Sequence, residues 1–239
     1  MRKIGGTAFG IVGGGLACFV AATSGAFGDA TAAPYPSMAP IAQYAMPSRN
    51  AEIALARSAA PPSISGDAEI LVLGAHAYET AVKGKNGFVC LVVRSWDAGF
   101  GDPEFWNPKL RSPQCLNRAA AESVLPHFLE RTRWVLSGVS KNEMLNRTRF
   151  ELASHAYVLP APNSISFMMS KDQFTHDADG HWHPHLMFFV ANADAAAWGA
   201  SLPSSPIIAG HMDPEPVTIF LIPVPKWSDG TPFEDHPAR

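Results

Sequence analysis

The signatures of several common catalytic frameworks are missing from this chain. It holds no Gly-x-Ser-x-Gly elbow, no His-Glu-x-x-His helix, no P-loop and no dinucleotide-binding glycine fingerprint. Ser140-Lys141 and Ser170-Lys171 are adjacent pairs, without the helical spacing that a serine–lysine nucleophile uses. Charge is sparse: 18 Lys and Arg stand against 21 Asp and Glu, a formal net charge of −3. The basic residues form no run, so the chain has no electrostatic footprint for nucleic acid or anionic lipid. Cysteine is scarce as well, with three in 239 residues.

The start of the chain has the layout of a secretory signal peptide. Met1-Arg2-Lys3 is a short positive region, Ile4–Ala22 is apolar and uncharged, and Ser24-Gly25-Ala26 and Ala30-Thr31-Ala32 offer small-residue cleavage sites. An uncleaved membrane anchor is the alternative, because 19 apolar residues just span a bilayer. Six glycines in that run favour cleavage. Lipidation at Cys18 is the minority reading: Leu16 stands one position too close, and Phe19-Val20 continues the apolar run. The expectation is export to the periplasm or medium, with a signal peptide over 1–32 and no stable membrane insertion after cleavage. Cys90 and Cys115 then remain as an even pair in an oxidising compartment, so a disulfide is expected. It closes a loop of about two dozen residues and contributes about 3 kcal/mol in the chain-entropy model. A catalytic pairing of either cysteine with His127 is the lesser alternative, since nothing nearby lowers a thiol pKa.

Residues 33–64 are rich in Ala, Pro and Ser and read as a linker with a short helix at Asn50–Ala59. A single domain is expected over 65–231, followed by a tail over 232–239. Ser65-Gly66-Asp67 predicts a helix cap, with the helix running to Val82 and stopping at Gly84. Gly87–Ser95 is short, continuous and β-branched, a buried strand. Trp96–Gln114 has no periodicity and predicts a long loop, whose Phe100, Phe105 and Trp106 fold inward over the core; Arg94, Asp97, Asp102 and Glu104 are positioned to line a cleft there. Helical pattern resumes at Asn117–Ser137 with a break at Pro126, and Ser140-Lys141-Asn142-Glu143 is a capping box opening another helix to about His155. Strands follow at Ser164–Ser170, His185–Val190, Ile207–Gly210 and Val217–Val224, with a helical turn at Asp194–Trp198. The fold class expected is α+β: an antiparallel sheet of about five strands with helices packed mainly on one face.

Four of the nine histidines fall within ten residues, at His176, His181, His183 and His185. Alternate positions of an extended chain point the same way, so His181, His183 and His185 predict an imidazole-lined face. Neighbours two residues apart lie about 6.6 Å apart at the backbone, close enough for two rings to share one ion. The outer pair lies about 13 Å apart, so a triple ligation requires a bend at Pro184 or a remote ligand. His176, Asp177, Asp179, His155 and His211 are the candidates for that ligand. Imidazole suits Zn or Cu; Met168, Met169, Met187 and Met212 favour the copper version if strand pairing brings a thioether near. The plainer alternative is a loop over 176–184 entering a strand, each histidine bonded to a backbone carbonyl. Asp102 and Glu104 as a glycosidase acid and base, and Trp96, Trp106 and Trp182 as sugar-stacking rings, are weaker alternatives.

Four motifs are distinctive: Gly87-Phe88-Val89-Cys90, Arg94-Ser95-Trp96, Glu104-Phe105-Trp106-Asn107-Pro108 and Gly180-His181-Trp182-His183-Pro184-His185-Leu186-Met187-Phe188-Phe189. On these the chain resembles, over Asp67 to Thr231, a group of exported bacterial proteins of unassigned function. The resemblance implies a bacterial envelope location and carries no reaction or ligand with it. The function expected is an envelope protein with a small-molecule or metal site at His181, His183, His185, Asp179 and His176, with Arg94, Trp96, Trp106 and Trp182 lining the ligand cleft. Metal-assisted hydrolysis or lyase chemistry is the catalytic form expected of it. The alternative is a non-enzymatic ligand-binding or pH-responsive module, because histidine titrates near pH 6.5.

Overall fold

The apolar run Ile70-Leu71-Val72 does not continue a helix. In the computed structural model, which describes residues 34–178 and 180–234, it forms β1 (Glu69–Leu73), followed by β2 (Tyr78–Val82) in an antiparallel hairpin. The turn closes where the Gly74 N–H donates to the Ala77 carbonyl, 2.8 Å away. The helix expected over this stretch is therefore a correction. Ile70 and Val72 point to one buried face and Leu71 to the other, an alternation that only an extended chain gives. Gly84, expected as a helix stop, instead allows close backbone approach: a Cβ there would lie 2.3 Å from the Glu69 nitrogen.

The remaining strands are β3 (Val89–Val93), β4 (Ser112–Leu116), β5 (Ile165–Met168), β6 (His185–Ala191), β7 (Ile208–His211) and β8 (Val217–Pro223). All eight join one sheet in the order β2-β1-β3-β4-β5-β6-β8-β7. β1 and β3 run parallel and the other neighbours antiparallel. The sheet is thus mixed and larger than the five-stranded antiparallel sheet expected. Five strands stand where the pattern placed them; β1, β2 and β4 are the additions.

Helices cover both faces, the second correction to the expected fold class. On one face α1 (Arg49–Arg57) brings Leu55 and Ala56 against Ile70, Val72, Cys90 and Val92. On the other, α3 (Arg118–Ser123) and α4 (Leu125–Leu136) bring Ala120, Val124 and Phe128 against Leu71, Leu91, Leu116 and Met187. Each fully buried large side chain of this kind contributes about 1.5–3 kcal/mol. Continuous apolar strands such as β3 are what a sheet covered on both sides requires. α2 (Pro62–Ser65) is a single turn, and α5 (Lys141–Ala153) starts at Ser140, whose hydroxyl accepts from the Glu143 N–H at 3.2 Å.

The N-terminal stretch also departs from its reading as a linker. α1 begins at its cap Ser48, and its Glu52 forms a buried ion pair with Arg94 at 2.8 Å. Tyr44 is fully buried against Trp96. The described residues form one compact unit. The stretch expected to be a signal peptide, with Cys18, and residues 235–239 lie outside the described residues. Among the described residues no helix is long and apolar enough to cross a membrane.

Cys90 and Cys115 are directly opposed partners on β3 and β4 and form a buried disulfide. That bond is compatible with an extracellular or periplasmic protein.

Candidate functional site

α4 carries Arg131 and Thr132 in line with the apolar positions Leu125, Phe128 and Val135, and both are buried. A guanidinium in a core-facing helical position must find partners within the protein. Arg131 donates through Nη1 to the carbonyls of Trp96 at 3.3 Å and Ala98 at 2.8 Å, and through Nη2 to Glu215 Oε1. Its plane lies over the Phe100 ring, 4.2 Å from the centroid. Arg131 therefore grips both sides of the single 3₁₀ turn Ser95–Asp97 that follows β3, and it fixes Glu215 in the turn before β8.

Asp97, between the two gripped carbonyls, is 4 % exposed. Neither of its carboxylate oxygens has a hydrogen-bond partner among the described residues, and Glu215 Oε2 has none either. Such orphaned acceptors are rare in folded proteins and call for a reason. Burial pushes the Asp97 carboxyl well above the usual carboxylate range, opposed by the charges of Arg131 and Arg94 and assisted by Glu215. Burial raises Glu215 as well, against the pull of Arg131.

These groups line a cavity of about 30 Å³, room for one or two solvent-sized groups. Its walls are apolar, from Val124, Phe128, Phe189, Met212 and Val217. His127 and Tyr157 stand at its half-buried side with their rings stacked 4.0 Å apart. His127 Nε2 donates to the Val158 carbonyl at 2.8 Å, and burial, then the Arg131 charge, hold its pKa below the usual histidine value. Burial raises the Tyr157 phenol. An apolar hole with a few converging polar groups and displaced titrations is the common form of a small-molecule site. Asp97 is here a carboxyl that retains its proton to higher pH than usual, next to Glu215 paired with a cation. Chemically the site can accept hydrogen bonds and exchange a proton at Asp97.

The histidine segment is arranged differently from its expected face. β6 begins only at His185, so His181 and His183 precede the strand. His185 is buried; its Nδ1 donates to the His183 carbonyl at 2.7 Å and its ring packs on Trp182, centroids 4.7 Å apart. The His183 ring lies against Phe233 and Trp182, and the His181 ring against Trp227. His176 Nδ1 accepts from the Ala178 N–H at 3.2 Å. Asp177 is engaged by Lys109 at 2.6 Å and by Tyr35. Asp179 lies outside the described residues. Among the described residues no three His, Cys, Asp or Glu side chains gather as metal ligands. Met187 is a core residue of the α4 face.

Of the expected cleft residues, Arg94, Trp96 and Trp106 meet around Tyr44 as buried core and line no cleft, and Trp182 lies apart from them. Arg94 is fully buried; it donates to Tyr44 O at 2.9 Å, to Val92 O and to Glu52 Oε1. Trp96 is fully buried, and its indole donates to Thr132 Oγ1 at 3.0 Å. Trp106 packs edge-on against Phe105, and Trp182 lies beside His185. Asp102 accepts from the Glu104 N–H at 2.7 Å, and Glu104 accepts from Asn107 Nδ2 at 2.8 Å and from the Asp177 N–H at 3.0 Å. Of the residues expected to line a cleft, Asp97 alone lines this cavity. Arg131, Tyr157 and Glu215 are additions, and a signal for one was present: a guanidinium in the apolar stripe Leu125, Phe128, Val135 is either paired or functional. Glu215 between Pro214 and Pro216 carries no comparable mark. Compared with protein-family models, curated proteins and solved structures, the chain matches none.

Proposed function

We propose that this protein is an exported small-molecule-binding domain whose ligand occupies the cavity over Asp97, Arg131 and Glu215. The observation that carries the reading is the pair of buried, unpartnered Asp97 carboxylate oxygens facing an apolar-walled hole. Removing a carboxyl from water without a partner costs several kcal/mol, and a ligand that donates to it recovers that loss on binding. Arg131 supports the reading, because its carbonyl contacts hold the Asp97 turn in place before any ligand arrives, and a preorganised site wastes less binding free energy on ordering. Export rests on the N-terminal pattern and is supported by the buried disulfide.

The test is a titration with four small probes of equal length: butylammonium, butanol, butyramide and butyrate, each to about 50 mM so that a Kd of about 1 mM is saturated. Methyl NMR signals of Val124, Met212 and Val217 are followed, with Ile70 and Val72 on the opposite face as controls. At least one probe is expected to move the first group and leave the second in place. If none does, the cavity is not a ligand site.

One observation favours a second, compatible property from the histidine segment. Burial lowers the His185 pKa to about 4, so this ring is neutral where a free histidine is half charged, and acid loosens the start of β6. The protein would then be pH-responsive without any metal.

A further inference from the structure

The buried, unpartnered side-chain atoms of the cavity are all carboxyl oxygens, which accept in the ionised form that a bound cation favours. Asp97 contributes Oδ1 and Oδ2, and Glu215 contributes Oε2. The Arg131 donors bonded here are turned to Trp96 O, Ala98 O and Glu215 Oε1, and none goes to Asp97. His127 spends Nε2–H on a carbonyl. What enters must bring N–H or O–H groups with it.

Charge points the same way. A second, smaller pocket borders His127, Arg131, Tyr157 and Glu215 from another side and adds Glu130, Trp134, Thr148 and Glu151. The linings of the two pockets together hold four carboxyl groups and one guanidinium, and no lysine. An anionic ligand is repelled from such a lining, and a monocation is drawn to it. The apolar walls around Val124, Phe128 and Met212 suit a hydrocarbon body. Calcium suits this lining poorly: it takes six to eight oxygens, whereas three are free here and a guanidinium sits among them.

We infer that the cavity binds a small primary alkylamine as its ammonium ion, the three N–H groups going to Asp97 and Glu215 and the alkyl chain to the apolar wall. The inference rests on the reading of the cavity as a ligand site and names its ligand class. In about 30 Å³ the ammonium head and the first carbon fit, and the rest of the chain leaves past half-buried His127 and Met212.

The experiment compares butylammonium chloride with butanol, butyramide and butyrate at constant ionic strength, with calcium chloride as the metal arm. Binding is read by the rise in melting temperature and by the Val124 and Met212 methyl shifts. Butylammonium is expected to bind at least ten-fold more tightly than any other probe. Asp97→Asn is expected to weaken it ten-fold or more while leaving butanol unchanged. Glu215→Gln serves the same purpose should Asp97→Asn fail to fold. Tighter binding of butanol or butyramide overturns the amine assignment and leaves the cavity reading standing. A response to calcium stronger than to butylammonium also overturns it. Silence from every probe overturns both.

Discussion

At the scale of single residues, the molecule holds two buried titrating groups whose stability effects run in opposite directions with pH. His185 is neutral in the fold, its pKa lowered to about 4 by burial and opposed by its bond to the His183 carbonyl. Between pH 6.5 and 4 the unfolded chain therefore binds more protons at this site, and folding stability falls as the pH is lowered through that window. The full effect is about 3 kcal/mol. Urea titrations at pH 7 and pH 4.5 should show most of it in the wild type, and His185→Gln should remove that part of the difference. Asp97 behaves oppositely. Its folded pKa is raised by burial against Arg131 and Arg94, so the fold binds the extra proton and stability falls as pH rises above the ordinary carboxylate value. Asp97→Asn, measured against wild type, should gain in relative stability from pH 4 to pH 8 by about 1–3 kcal/mol. A flat difference between the two proteins would place Asp97 in contact with water or with a donor. Arg131 is the group on which both carboxyls depend. Arg131→Met leaves Glu215 without its paired cation and Asp97 with Arg94 alone, and should lower unfolding free energy by about 3–5 kcal/mol at pH 7; Arg131→Met combined with Glu215→Leu should recover much of that loss.

At the scale of elements, the legible parts are those whose pattern is local. β3, β5, β6, β7 and β8 have short apolar runs bounded by turn residues, and α5 has its Ser140–Glu143 box; these stand where the sequence places them. Pro126 does break the helical stretch, at Val124. β1 and β2 were hidden because Ala-rich residues 74–77 read as helix interior, when the turn is closed by a backbone bond. β4 was hidden because its Pro113 and Gln114 carry no strand signal and its place depends on Cys115 facing Cys90 across the ladder. The cysteine pair was legible from count and compartment alone. The histidine face was misleading for a local reason: alternation along a chain gives a shared face only if the chain is extended, and extension begins at His185. The cavity was the least legible part, because Asp97, Arg131 and Glu215 are separated by 34 and 84 residues and meet only through packing. The disulfide gives the prediction at this scale. It closes 25 residues of separation between β3 and β4, so replacing both cysteines by alanine should lower stability by about 3 kcal/mol in the chain-entropy model. A denaturant midpoint unchanged by reduction in the wild type would contradict it.

At the scale of the whole molecule, the sheet has two faces and the chain has to cover both. α3 and α4 cover one, and α1 together with Ile64 of α2 covers the other, both arriving before the first strand. The Ala-, Pro- and Ser-rich composition of residues 33–64 resembles linker because small side chains are what closely packed backbone needs: Ala56, Ala59 and Ala60 are fully or almost fully buried against β1 and β3. Glu52 adds an electrostatic tie, accepting from Arg94 at 2.8 Å and from the Leu73 N–H at 3.0 Å. Removing this stretch leaves Arg94 buried without its counter-charge and uncovers Ile70, Val72 and Val92. The loss of one buried partner alone costs about 3–5 kcal/mol, a large part of the 5–15 kcal/mol that holds a typical domain together. A chain starting at Ser65 should therefore show no cooperative melt, while one starting at Ala33 should melt as the full-length chain does. Calorimetry of the two distinguishes the outcomes, and a cooperative transition in the shorter chain would return residues 33–64 to the role of a tether.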